Sequence, residues 1–127
     1  MELIATVIFM ALIEYLVFGG FVGKARATYD IPAPATTGNE IFERYFRAHQ
    51  NTLENLIIFI PSIIGFGLYV HTLLAAVLGV LFILGRALYF RGYVKDPESR
   101  ALGSMIGGLS LVVLLLGGLI GSFIAFL

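Results

Sequence analysis

Charged residues make up only 13% of this chain, so the stretch that holds Arg44, Arg47, Asn51 and Glu54 stands out. On a helix, at about 100° per residue, these four fall within roughly a quarter-turn of one another. A guanidinium grips a carboxylate through two parallel N–H donors, and a carboxylate in turn accepts from an ammonium. The stripe therefore suits a small zwitterionic ligand. It suits an internal network equally well, with Glu43 or Glu54 paired to Arg47. Glu54 sharpens the choice, because it lies at the margin of an uncharged run, LIIFIPSIIGFGLYV. An ionised group next to lipid is costly and is as a rule functional.

A second stripe lies in LGRALYFRGY, where Arg86, Tyr89 and Tyr93 share a face. An interfacial aromatic belt with a snorkelling arginine is the plain reading. However, Arg86 sits one turn deeper than Tyr89, which directs it toward the bundle and an anion. Arg100 opens a further helix, where the helix dipole disfavours a cation. Phospholipid headgroups or an anion held among the helices would account for it. Taken together, the stripes predict a cationic, tyrosine-lined, partly lipid-accessible pocket for a small anionic or zwitterionic ligand. Glu14, inside an apolar run, is expected to face the bundle and hydrogen-bond a neighbouring helix, with a proton relay as the alternative. His49 and His71 fall at opposite ends of one segment, so no metal site is expected. There is no cysteine, which removes disulfides, thiolate nucleophiles and thiolate metal sites.

These residues must be positioned by elements made mostly of lipid-compatible sequence. The 127 residues are 59% hydrophobic, with a mean hydropathy of +0.97 and zero net charge, which gives no reason to expect nucleic acid. A membrane-crossing helix needs about 20 apolar residues. Four segments are candidates: Leu3 to Gly23, Leu53 to Val70 with its polar upstream extension, Thr72 to about Tyr89, and about Ala101 to Leu127. Open strands cannot satisfy their edges in lipid. The expectation is an all-α integral membrane protein, one domain over residues 1–127, built as an antiparallel bundle of four transmembrane helices.

Lys24, Arg26, Arg91, Lys95 and Arg100 cluster near the first and third connections. The positive-inside rule then puts those connections in the cytoplasm and both termini outside. The first segment starts acidic and carries its basic residues after the apolar run, so it reads as a retained helix rather than a signal peptide, despite Ala25-Arg26-Ala27. Thr36, Thr37 and Asn39 are candidate helix caps before Glu40, and Asp96-Pro97-Glu98 marks another start. Pro61 should bend the second helix. Gly103 with Gly107, and Gly117 with Gly121, offer close-packing faces within one subunit or between subunits.

The run Phe42 to Glu54, FERYFRAHQNTLE, resembles the second-helix signature of the membrane-associated proteins in eicosanoid and glutathione metabolism. That family, abbreviated MAPEG, includes microsomal glutathione transferases and leukotriene C synthase. Gly85 to Tyr93, GRALYFRGY, resembles its other signature; Thr36-Thr37-Gly38 and Arg100, seven residues after Tyr93, match as well. The resemblance implies a homotrimer with glutathione as co-substrate, bound between neighbouring subunits near the cytoplasmic face. By position, Arg47, Asn51 and Glu54 would hold the charged and amide groups of glutathione. Arg26, Arg86, Tyr89 and Tyr93 would add contacts, with Arg44 and His49 as additional candidates. Arg100 matches the arginine that stabilises the thiolate. The implied activity is conjugation of glutathione to lipophilic electrophiles, or reduction of lipid hydroperoxides, in a bacterial inner membrane. The sulfur nucleophile would come from the ligand. A non-enzymatic lipid-binding scaffold of the same family is the alternative, and a small channel or transporter ranks last. The pattern of leukotriene synthases is departed from at Ala27, His49 and Asn55, so a leukotriene substrate is not carried over.

Overall fold

The computed structural model describes residues 1–127 and is built from four long helices without strands. These are α1 (Glu2–Tyr29), α2 (Glu40–Tyr69), α3 (Thr72–Lys95) and α4 (Ala101–Phe126), with a short 3-10 turn, Pro97–Arg100, leading into α4. Each is long and apolar enough to cross a membrane. Large apolar side chains stay exposed along all four, such as Leu16 on α1, Ile57 on α2, Leu84 on α3 and Ile124 on α4. In water such a surface would be a liability; lipid is the solvent that suits it.

Two helices run further than the apolar segments predicted. α1 continues past Gly23 to Tyr29, and α3 continues past Tyr89 to Lys95. The added residues, Lys24–Tyr29 and Phe90–Lys95, are polar, yet neither stretch contains a proline to stop the backbone ladder. Hydropathy marks where lipid ends, not where a helix ends. α1 stops at Asp30, whose left-handed backbone (φ 55°) sends its N–H back to the Arg26 carbonyl.

The starts follow capping chemistry. Asn39 caps α2, its side-chain oxygen accepting from the N–H groups of Ile41 and Phe42 at 2.9 and 3.0 Å. His71 caps α3 through Nδ1, which accepts from the Leu74 N–H. Asp96 accepts from the Glu98 N–H and sets up the 3-10 turn. α2 runs on through Pro61 to Tyr69, and the reversal into α3 uses only Val70 and His71.

α2 and α3 form the central pair; α1 and α4 each pack against both. The deep core includes Phe59 stacked on Phe82, with centroids 4.1 Å apart, alongside Ile4, Ile63 and Leu114. The glycines of α4 are used within the chain. A Cβ placed on Gly85 would lie 2.7 Å from the Gly107 Cα, and one on Gly103 would strike the backbone of Leu88 and Tyr89. α3 and α4 therefore touch backbone to backbone along this seam. Further along, Gly118 lies against the backbone of Phe66 in α2.

Candidate functional site

At the end where α2 and α4 begin and α3 ends, three helices surround a cavity of about 500 Å³. α2 contributes Arg47, Asn51 and Asn55. α3 contributes Arg86, Tyr89 and Tyr93. α4 contributes Ser104 and Gly108, with Arg100 from the turn before it. Each set repeats at three- or four-residue steps, so each is one stripe of one helix turned toward the same space.

Arg86 forms the floor. It is 4% exposed, and its Nη2 donates to Asn51 Oδ1 and to Thr52 Oγ1, both at 2.8 Å. Its guanidinium carbon stands 4.2 Å from the centre of the Tyr89 ring, a cation–π contact. Tyr89 in turn stacks on Tyr93, with centroids 5.7 Å apart. Nε of Arg86 is buried without a hydrogen-bond partner. Arg86 thus faces the bundle, as its depth predicted, but its observed partners are neutral acceptors.

Asn51 is aligned from both sides. Its Oδ1 accepts from Arg86 and also from Asn55 Nδ2 at 3.2 Å. Asn55 Nδ2 also donates to the Asn51 carbonyl at 2.8 Å. With its oxygen so engaged, the amide of Asn51 has its NH₂ left as donor.

The rim is looser. Arg47 Nη1 and Glu54 Oε1 form an ion pair at 2.9 Å, each side chain about half exposed (52% and 53%). That is one of the internal pairings the sequence allowed, and it leaves Glu54 outside the lining of the cavity. Arg100 donates to the Pro97 carbonyl at 2.8 Å and is otherwise exposed. It stands where the 3-10 turn runs into α4, at the positive end of that helix's dipole. Arginine, helix terminus and cavity converge there on one anion-accepting point.

Other candidates lie elsewhere. Arg44 pairs with Glu40 at 2.8 Å and reaches the carbonyls of Val94 and Lys95, thereby tying the end of α3 to α2. It lines a neighbouring hollow of about 420 Å³ that shares Arg47 and Tyr93 with the first and also holds Glu40 and Glu43. Arg26 lies over the Phe42 ring and donates to the carbonyls of Ile31 and Ala35, which pins the α1–α2 connection. His49 stacks on Tyr15, centroids 4.2 Å apart, beside Gly19. Glu14 is half-buried and, contrary to expectation, hydrogen-bonds no neighbouring helix and joins none of the ion pairs.

Four contributors escaped sequence reasoning. Thr52 and Asn55 flank Asn51 and hold Arg86 and Asn51 in place. Ser104 and Gly108 continue the stripe from Arg100 at four-residue steps. That spacing was the available signal, but neither residue carries a charge to draw attention. A Cβ on Gly108 would meet nothing within 4 Å, so this glycine borders open space.

Residues 4–120 match the family model described as the MAPEG family. The chain is similar to an uncharacterized protein of Synechocystis, 45% identical over 111 residues, covering 87% of this chain and 81% of that one. It is also similar to human microsomal glutathione S-transferase 2, 39% identical over 118 residues, covering 92% and 80% of the two chains. Rat leukotriene C4 synthase is 33% identical over 98 residues, covering 77% and 65%.

Proposed function

The chain belongs to the MAPEG family, and we propose from that premise that it is a glutathione-dependent transferase of the membrane, with peroxidase activity toward lipid hydroperoxides. The observation that carries this reading is the cavity in which Arg47, Asn51, Arg86, Tyr93 and Arg100 converge. Glutathione offers carboxylates to guanidinium groups, amide carbonyls to the NH₂ of Asn51, and a thiol that becomes reactive on losing its proton. Two relatives named for glutathione S-transferase and leukotriene C4 synthase support it.

In this reading Arg86 and Arg47 anchor the carboxylates, charge-assisted and geometrically specific. Arg100 has a single carbonyl partner, which leaves it free to stabilise the thiolate. A cysteine thiol ordinarily ionises near about pH 8.5, and an adjacent cation lowers that value. In the transferase reaction, the thiolate sulfur forms a bond to an electrophilic carbon and displaces its leaving group. With a hydroperoxide, sulfur attacks the terminal peroxide oxygen and the alcohol departs with a proton. A second glutathione then converts the sulfenic acid to the disulfide and water. The apolar co-substrate arrives laterally through the bilayer. The homotrimer and the cytoplasmic placement of the site belong to the same proposal; the half-exposed Arg47–Glu54 pair supports it as a surface for a neighbouring subunit to cover.

Purified protein is to be assayed with glutathione and a chlorinated nitrobenzene or cumene hydroperoxide, following the thiolate absorbance band in parallel. Turnover, and a thiolate signal that is lost in Arg100→Ala, are expected. No turnover and no thiolate would remove the enzyme reading and favour a lipid-binding scaffold.

A further inference from the structure

The lysines and arginines of the chain divide into two groups. Arg26, Arg44, Arg47, Arg86 and Arg100 each donate hydrogen bonds within the protein. Lys24, Arg91 and Lys95 are exposed, and their side chains join no ion pair and no hydrogen bond. These three lie at the end of the bundle where the cavity opens, on the polar extensions of α1 and α3.

Two of them border one groove. Phe21 of α1 meets Phe90 of α3 with ring centroids 6.0 Å apart, and Phe18 stacks on the same ring. α1 and α3 run in the same direction. Lys24 lies one turn past Phe21, and Arg91 directly follows Phe90, so with a rise of about 1.5 Å per residue the two cations stand within about one turn of a common level. Around α1, the step from Phe18 through Phe21 to Lys24 leads away from the core. Around α3, Arg86, Tyr89 and Tyr93 fall on one side of Phe90 and Arg91 on the other. Both cations therefore flank the outer, lipid-facing side of the α1–α3 seam.

A hollow of about 270 Å³ opens there, lined by Phe21, Lys24, Ala25, Thr28 and Tyr29 of α1 and by Tyr45 of α2. Tyr45 sets its ring edge-on to Phe90. No carboxylate lines this hollow, in contrast to the one that holds Glu40 and Glu43. Toward the middle of the bundle, Val17, Phe21 and Leu84 present exposed apolar side chains. Unpaired cations and phenols above an apolar strip suit an occupant with an anion at one end and a hydrocarbon chain at the other. In a membrane-crossing chain, the bilayer itself supplies that chemistry.

We propose that this groove binds an anionic phospholipid, with its phosphate held by Lys24 and Arg91 and one acyl chain laid along Val17, Phe21 and Leu84. None of these residues lines the cavity between α2, α3 and α4, so the proposal does not rest on the glutathione reading. A zwitterionic lipid fits less well, because it brings a cation of its own to two others.

The test uses the full chain in detergent micelles doped with phosphatidylglycerol or phosphatidylcholine, with bound lipid counted by native mass spectrometry. Wild type is expected to hold phosphatidylglycerol at least about fivefold more tightly than phosphatidylcholine. Lys24→Gln and Arg91→Gln should each weaken phosphatidylglycerol about fivefold, the scale of one cation at an anionic membrane surface, and leave phosphatidylcholine unchanged. Lys95→Gln is the control. A diffuse surface field extends about 10 Å and would act on all three cations alike, whereas the groove uses two, so this variant should stay close to wild type. The three side chains have no partners to lose, and the variants should melt like wild type in lipid-free detergent. Equal binding of the two lipids by wild type, unchanged binding in both Lys24→Gln and Arg91→Gln, or an equal loss in Lys95→Gln overturns the proposal. Displacement of the lipid by inorganic phosphate at matched concentration also overturns it, since the acyl chain would then contribute nothing.

Discussion

Arg86 and Arg100 line one cavity and are held in opposite ways. Arg86 is buried, hydrogen-bonded twice from α2 and covered by a tyrosine ring. Arg100 is exposed and has one carbonyl partner in its own turn. The floor is therefore fixed before any ligand arrives, whereas the rim retains unused donors. A fixed cation gives register, since a ligand must come to it. A free cation can follow charge as it develops on a reacting atom. Under the proposed function, that difference gives binding to the floor and chemistry to the rim.

That division can be broken most sharply at the floor. Arg86→Ala would take one of its two donors from Asn51 Oδ1 and the donor from Thr52 Oγ1, and would remove the anchor at the same time. Loss of detectable glutathione binding by calorimetry is expected, with stability falling by about 3 kcal/mol in thermal unfolding. Retained binding would mean that the floor does not anchor.

Arg100→Ala should act at the rim alone. Turnover is expected to fall about 100-fold, the scale for losing one donor to a developing anion. Glutathione affinity and melting temperature should barely change. The pH profile gives the sign: without the cation, the bound thiol should titrate back up toward about 8.5, so activity at neutral pH recovers as pH rises. A loss in affinity instead of rate would erase the distinction.

Glu54→Ala tests whether the exposed ion pair belongs to the site. Glutathione binding should weaken by about 1–3 kcal/mol, while stability changes by less than about 1 kcal/mol, as for other exposed pairs. Unchanged binding would reduce the pair to a surface contact. Asn55→Ala should be mildest, weakening binding by about 1 kcal/mol through misalignment of the Asn51 amide. An effect as large as that of Arg86→Ala would extend the floor to Asn55.

Much of this site was legible because charge is rare in the chain. Arg47, Asn51, Arg86, Tyr89, Tyr93 and Arg100 stood out against lipid-grade sequence, and helical spacing aligned them. What spacing does not supply is the choice among partners within reach. Arg44 shares the arc of Arg47 but finds the carbonyls at the end of α3, and Arg26 finds those of its own connection. Both choices depend on where a neighbouring chain segment stops, and α1 and α3 stop later than hydropathy implied. Ser104 and Gly108 were silent because a cavity wall is defined as much by small residues as by charged ones. The four-helix plan itself was plain from the lengths of the apolar segments.

The glycine seam between α3 and α4 has a consequence for tolerance to change. Arg86, Tyr89 and Tyr93 stand on one side of it and Arg100 and Ser104 on the other, while Gly85, Gly103 and Gly107 hold the two backbones in contact. A single methyl group at Gly103 would act as a wedge, with no flexible side chain to absorb it. The gauge between the two walls of the cavity is therefore fixed by hydrogen atoms, at positions that carry no side chain at all.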